Sequence, residues 1–308
     1  MNSLLDNSFF IYLIFPGFIF TALVGIVASW IDRKVTARVQ WRKGPPLLQP
    51  LYDLIKLSGK ETILPKGGSK FTFLLAPLLG LASIVIVSAM LWRTLLDPST
   101  GFVGDLIVLI YLIAIPSLAL IMGAFASANP LASLGASREI KLILAYELPF
   151  VFVVGIAIIN HGNAIQLGSF ISGWTWSISA LIALVVAVLC QQAKLALVPF
   201  DAPEAETEIM GGAIIEYSGM TLLIHKLTRM MMLFVLPMFL VVVFLGGISF
   251  ISVQSIVVGL LKYVALLVVI VLIRNTAPRL RIDQALRFFW GPVAILAVIG
   301  VILAFLGY

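Results

Sequence analysis

Long apolar stretches alternate with short polar ones along almost the whole chain. Eight of them, at roughly 9–31, 71–92, 103–125, 139–160, 177–199, 218–246, 253–274 and 286–306, hold very few charges. As helices rising ~1.5 Å per residue, stretches of ~20 residues cross the ~30 Å hydrocarbon layer of a bilayer. The pattern therefore predicts an all-α, polytopic membrane protein with about eight transmembrane helices, residues 1–308 forming one integral membrane domain. A different period occupies the loop after the first span. Leu47, Leu51, Leu54 and Ile55 recur at helical spacing opposite Asp53, Lys56 and Lys60, with Pro45 and Pro46 suited to a first turn. That is an amphipathic helix, lying on the membrane surface or against a partner.

The charges sharpen this picture by their distribution. The chain is 61% hydrophobic and 11% charged, with a net charge of +6. Arg33, Lys34, Arg38, Arg42, Lys43, Lys56, Lys60, Lys66 and Lys70 follow span 1. Arg138 and Lys141 fall near 126–141, Lys194 in the next loop of that side, and Arg274, Arg279, Arg281 and Arg287 in the last. The intervening loops near 94–102, 161–176 and 247–252 contain no Lys or Arg. By the positive-inside rule the charged loops face the cytoplasm, both termini lie outside, and the protein sits in the cell membrane. The positive charge thus reads as membrane orientation, and no nucleic-acid partner is implied. Met1 to Asp6 carry no positive n-region, so span 1 reads as retained. Cys190 is the single cysteine, and His161 and His225 stand far apart, which leaves no ligand set for a metal, haem or iron–sulfur cluster. Lipid is the implied surrounding.

Two groups of acids stand out against this background. Asp201, Glu204, Glu206, Glu208 and Glu216 crowd the boundary between spans 5 and 6. Asp201 is placed to cap a short helix with Pro203 in its first turn and with Glu204 and Glu208 on one face. Such a crowd is either a proton-handling cluster of coupled carboxyls or a solvated acidic helix start. Glu147 lies nine residues after Arg138 in span 4, hence ~14 Å up a helix. A charge there costs a few kcal/mol unless it is protonated, paired or wet. Glu147 is read as part of an ion path, the alternative being a static partner of a buried lysine or arginine. Lys262 in span 7 is a second candidate buried charge, the alternative being that it snorkels outward, whereas Asp105 reads as interfacial. His225, Lys226 and Arg229 open a sixth span longer than the bilayer core and must protrude, tilt or meet protein. In the last charged loop, 275–284, apolar and charged residues alternate as in an extended docking segment.

Taken together, these blocks resemble one family. Arg33-Lys34 through Arg38-Val39-Gln40, Gly44-Pro45-Pro46, and Gln49-Pro50-Leu51-Tyr52-Asp53 are similar to the first cytoplasmic loop of subunit 1 of NADH:quinone oxidoreductase (respiratory complex I). So are Ala145-Tyr146-Glu147-Leu148-Pro149, the run Pro199 to Glu208 with Glu216-Tyr217-Ser218-Gly219, and Pro278-Arg279-Leu280-Arg281-Ile282-Asp283. The Gly-Pro-Pro-x-x-Gln-Pro form of the first loop looks closest to the proximal membrane subunit of energy-converting membrane-bound hydrogenases and formate hydrogenlyases. The resemblance implies a membrane anchor and coupling subunit linking electron transfer to proton or sodium translocation. It implies docking of a peripheral iron–sulfur subunit and a hydrogenase-like or quinone-reductase-like large subunit through Arg33, Lys34, Arg38, Arg42, Lys43, Arg279, Arg281 and Asp283. It implies a relay through Asp201, Glu204, Glu206, Glu208, Glu216, Glu139 and Glu147 toward antiporter-like membrane subunits. Iron–sulfur clusters, and in the hydrogenase-like form a nickel–iron centre, belong on this reading to the partners, with no cofactor bound by this chain and no catalytic residue in it. The competing readings are a quinone-site subunit of complex I proper, a purely structural anchor, and a stand-alone secondary transporter. The last predicts paired broken helices in two halves, a pattern the Gly and Pro positions lack.

Overall fold

The computed structural model describes residues 10–172, 177–250 and 252–308, and the N-terminal reading of Met1 to Asp6 lies outside them. Among the described residues there are helices and turns and no strand. The long helices are α1 (Phe18–Val39), after a π-turn at Phe10–Ile14, then α3 (Lys70–Leu96), α4 (Asp105–Ala126) and α5 (Pro130–Asn160). α7 (Gly219–Leu245), α8 (Val253–Thr276) and α9 (Ile282–Phe305, through a π-turn at Phe289–Val293) complete the set. Each of these seven is long and apolar enough to cross a membrane, and the shorter α6 (Ile178–Lys194) is the eighth apolar helix. The expected multi-span, all-α fold is what forms.

Helix α7 is the hub. Of its most apolar window 94% is buried, against 28–50% for the other six long spans. It is lined by Met230, Met231, Met232 and Met238, flexible side chains that fill irregular gaps between helices. α1, α3 and α8 pack on it from one side and α6 from another, while α5, α6 and α9 form a group of their own. Close backbone approach needs small residues: a side chain at Gly25 of α1 would meet the Met230 backbone at 2.7 Å.

The surface helix α2 (Gln49–Ser58) forms, but Pro50 and not Pro45 or Pro46 stands in its first turn. It buries Pro50, Leu54 and Leu57 and packs against α7 and α1, so of the expected stripe only Leu54 is buried, Leu51 is half-buried and Leu47 is exposed. Tyr52 and Ile55 remain exposed.

Two boundaries differ from the sequence reading. The loop expected at 126–141 is a short turn, because Asn129 caps α5 by accepting from the Leu131 N–H at 2.8 Å and Pro130 takes the first helical position. α5 is therefore 31 residues, ~46 Å long. Arg138 and Lys141 ride on its early turns, where the segment 202–214 packs against the helix and partly covers Arg138, while Lys141 stays exposed. The last charged loop is shorter than expected as well. Residues 277–281 are non-helical, but Asp283 and Gln284 already lie in α9, whose start is fixed by Gln284 Oε1 accepting from the Arg281 N–H at 3.1 Å. Residues 277–281 do dock, yet within this chain: Leu280 N donates to Pro199 O at 3.0 Å.

On the uncharged side the connections are held by neutral contacts and caps. Asp105, expected at the interface, is buried at the start of α4 and accepts from the Leu167 N–H at 2.6 Å. Lys262 reaches back toward the uncharged face, its Nζ donating to Leu245 O at 2.6 Å, at the carbonyl end of α7.

Candidate functional site: loop acids above a buried ion network

The segment from Pro199 to Ser218 makes the roof of the site. Asp201 does not cap a helix, since its carboxylate is drawn to Arg279 Nε at 2.8 Å, and the expected single helix breaks into a 3-10 turn at Ala202–Glu204 and one α-turn at Glu206–Ile209. Met210 closes that turn in the left-handed region at φ 54°. Glu204 and Glu208 consequently do not share a helix face. Glu204 pairs with Arg229 of α7, and Glu208 with Arg138 of α5 at 2.5 Å. Arg138 also donates to Ala202 O at 3.2 Å, and Arg279 to Thr207 Oγ1 at 3.3 Å. Glu216 accepts from Asn129 Nδ2 at 2.5 Å, while Glu206 is exposed. Four of the five acids expected to repel one another are thus spread over different partners on different elements, and Glu206 faces outward. Burial holds the Asp201 carboxyl above its ordinary value even with Arg279 beside it.

Two glycines and one tyrosine seat this roof. A Cβ at Gly135 would lie 2.4 Å from Ala213 N and 2.8 Å from Pro203 O, so only glycine lets α5 touch the segment. Pro77 has no N–H to give Phe73 O, and Tyr217 Oη donates to that freed carbonyl at 3.3 Å, its ring stacked on Phe73 at 4.2 Å. The phenol passes so close to Gly123 that a Cβ there would lie 1.8 Å from it.

Beneath the roof lies the buried network. Glu139 and Glu147 sit eight residues apart on α5, ~12 Å along its axis. Glu147 Oε1 accepts from Lys194 Nζ at 2.6 Å, and the lysine side chain is only 2% exposed. Its ammonium also lies 4.7 Å from the Tyr146 ring centre and 4.4 Å from that of Phe150, an aromatic cage that partly replaces lost hydration. Glu139 is 1% exposed, and its Oε2 has no hydrogen-bond partner. Between Glu139 and the roof is a cavity of about 90 Å³ lined by Ser117, Glu139, Lys194, His225, Thr228 and Arg229 among others. Arg229 therefore touches both halves, with Glu204 above and the cavity below.

Sequence reasoning anticipated that Glu147 needed a context but assigned Lys194 to a loop. The signal lay in Gln191, Gln192 and Lys194, polar residues closing an apolar helix and all buried in the structure. Gln191 spends its amide on Leu236 O at 2.5 Å and Gln192 on Val198 O at 2.7 Å. Arg229, Ser117 and His225 were not singled out as site residues, because nothing in the sequence says which face of an apolar helix meets a cavity. Among the described residues no three His, Cys, Asp or Glu side chains converge as metal ligands.

The residues expected to dock a peripheral arm fall into two sets. Arg33 is held by Asp53 at 2.6 Å and Arg279 by Asp201, so both serve internal contacts, and Asp32 likewise holds Arg274 at 2.6 Å. Burial pushes the Asp53 carboxyl up, but hydrogen bonds from Arg33 and Gln49 together outweigh it and keep the carboxyl below its ordinary value. Lys34 lies half-buried along Gly44, and Arg281 makes only a 3.7 Å contact with Asp283, both well exposed. Arg38, Arg42 and Lys43 are exposed and flank Trp41, which is 98% exposed. Trp41 occupies the left-handed position ending α1 (φ 56°), where its N–H reaches Arg38 O and that of Arg42 reaches Ala37 O. Glycine is the usual occupant of this cap.

Comparison with known proteins places these features in context. A family profile described as NADH dehydrogenase matches residues 11–305. An NADH-quinone oxidoreductase subunit of Thermomicrobium roseum is 31% identical over 315 residues, covering 92% of this chain and 92% of that protein. An NADH-quinone oxidoreductase subunit of Brevibacillus brevis is 32% identical over 90% of this chain and 86% of its own length. Among solved structures, a chain of the membrane-bound sulfane sulfur reductase, described as an archaeal respiratory membrane complex, superposes with a TM-score of 0.83. That chain is 29% identical, the match covering 93% of this chain and 96% of that one.

Proposed function

The chain belongs to the NADH dehydrogenase family of respiratory membrane subunits, and from that membership we propose that it anchors a peripheral redox arm and couples electron transfer there to cation movement. One observation carries the coupling: the Glu204–Arg229 pair and the Lys194–Glu147 pair border one cavity, which Arg229, Glu139 and Lys194 line together. A change of charge or shape in a subunit lying on the 199–218 segment alters the Glu204–Arg229 pair first. Arg229 then changes the field felt by Glu139, and Lys194 passes the change to Glu147. Moving one charge against 100 mV takes ~2.3 kcal/mol, a scale that rearranging one buried ion pair can supply.

The arm comprises an iron–sulfur subunit and a hydrogenase-like or quinone-reductase-like large subunit, and these partners hold the iron–sulfur clusters and any nickel–iron centre. The Gly44-Pro45-Pro46 form of the first loop and the likeness to a sulfur reductase chain favour the hydrogenase-like branch. The exposed Trp41 with Arg38, Arg42 and Lys43 is the docking surface, an aromatic anchor rimmed by positive charge. Antiporter-like subunits in the same membrane receive the relay. The charge asymmetry of the loops sets the charged face toward the cytoplasm and both termini outside the cell membrane.

The test uses the intact complex in sealed vesicles. Glu139→Gln, and the double variant Glu147→Gln/Lys194→Gln, which leaves no lone buried charge, should retain electron transfer from a soluble donor while the cation gradient collapses. A full gradient in both variants would reduce the chain to a structural anchor.

A further inference from the structure

A second cavity lies apart from the ion network, between α3 and the start of α7. It measures about 350 Å³, within the usual range of ligand pockets, and Leu64, Leu74, Leu78, Met220, Ile224 and Thr62 line it. The loop that follows α2 forms its rim by crossing the first turn of α7. Ile63 N donates to Ser218 Oγ at 2.8 Å, and Met220 N to Thr62 Oγ1 at 3.1 Å. Gly219 permits the crossing, since a Cβ there would lie 2.6 Å from both Lys60 O and Glu61 O. Leu74 and Leu78 stand one and two turns into α3, ~6 and ~12 Å below Lys70 and on its side of the helix. The cavity thus runs from the charged face into the hydrocarbon layer.

We propose that this cavity holds one hydrocarbon chain of an anionic phospholipid, with the phosphate seated on the lysines of the rim. Leu74, Leu78 and Met220 are exposed where it opens, as are Ile63 and Phe71 beside them, so the opening faces acyl chains and not water. Each methylene that enters raises affinity about fourfold. The mouth carries the opposite chemistry. Lys60, Lys66 and Lys70 are all exposed on the stretch that frames it, against one acid, Glu61. Basic side chains at the membrane boundary draw anionic headgroups. Thr62 Oγ1 accepts from Met220 N, which leaves its O–H to donate to a phosphate or ester oxygen.

An uncharged lipid, a quinone included, fills the apolar part equally well but gains nothing from the three lysines. The bound phospholipid ties the loop behind α2 to both α3 and α7. Because α2 itself packs on α7 and α1, the same lipid braces the seat of the surface helix. This role is separate from the coupling through Arg229 and stands or falls without it.

The experiment places the intact complex in phosphatidylcholine vesicles with a trace of phosphatidylglycerol that carries a photoreactive diazirine in one acyl chain. After illumination, mass spectrometry should find the label on peptides holding 74–78 and 220–224. Unlabelled phosphatidylglycerol should compete it away, and the same amount of further phosphatidylcholine should not; this readout needs no variant. Lys66→Gln/Lys70→Gln should lower labelling ~30-fold, at about fivefold per lysine. Leu78→Trp, at an exposed position, fills the inner end, and with about fourfold lost per methylene shut out labelling should fall at least ~10-fold. Both variants should leave the complex assembled. Equal competition by phosphatidylcholine overturns the anionic assignment. Label that persists in both variants comes from bulk lipid and overturns the site. Absence of label from these peptides also overturns it, since a partner subunit then fills the cavity.

Discussion

The loop acids and the interior acids solve the same problem in opposite ways. Above, Asp201, Glu204 and Glu208 each take an arginine of their own from a different element, Arg279, Arg229 and Arg138. Below, Glu139 and Glu147 lie on one helix with a single direct cation, Lys194, and Glu139 keeps an oxygen unpaired. The upper set is a clasp that fixes the segment 199–218 to the bundle. The lower set is under-neutralised, which suits a place where charge is meant to move. Closeness in sequence did not make the loop acids a cluster; separation by eight residues did not keep Glu139 and Glu147 out of one network.

The comparison predicts unequal responses. Lys194→Met strands Glu147 beside an apolar pocket and should cost about 3–5 kcal/mol, seen as lost thermal stability or failed assembly in mild detergent. Lys194→Met/Glu147→Leu should recover most of that loss. Equal losses in single and double variants would mean that the pair is not coupled. Gly135→Val forces α5 away from Pro203 and Ala213, and overpacking of this kind costs about 1–3 kcal/mol. It should detach the roof, raising protease cleavage within 199–218 while the spans persist.

Trp41→Ala should weaken retention of the peripheral arm by about 2 kcal/mol, ~30-fold in affinity, with unchanged stability of the isolated subunit. Arg138→Gln breaks the Glu208 pair at a partly exposed site and should cost no more than about 1 kcal/mol, read by thermal unfolding.

The smallest effects are in pH dependence, and their signs oppose. Asp53 binds its proton less tightly in the fold than its ordinary 3.8, so its contribution is present above that value and lost as pH falls below it. Asp201 binds its proton more tightly than 3.8, so its contribution is greatest below that value and fades as pH rises through the folded value. Melting curves of Asp53→Asn and Asp201→Asn against the parent across pH 3–6 should therefore diverge in opposite directions.

Much of the fold was legible because the bilayer demands it: eight apolar stretches, and charges sorted to one set of loops. Boundaries were less legible where protein replaced water. The segment 130–141 is charged enough to read as a loop, yet Asn129-Pro130 starts a helix there and the 202–214 segment covers it. Glu147 announced itself by being a charge inside an apolar run. Glu139 came only through the family resemblance, and Lys194, read as a loop cation, is the buried last residue of its helix. Arg229 and His225 were visible as odd openings to a long span, but only the packing of α4 and α5 against the roof reveals what they face.

The central claim is that the roof and the interior form one electrical unit joined by Arg229. Infrared difference spectra of the intact complex on reduction test it most directly. The account predicts a carboxyl band that is removed by Glu139→Gln and is also lost or shifted in Arg229→Gln and Glu204→Gln, with electron transfer retained. A Glu139 band that keeps its position and amplitude in both roof variants would contradict it.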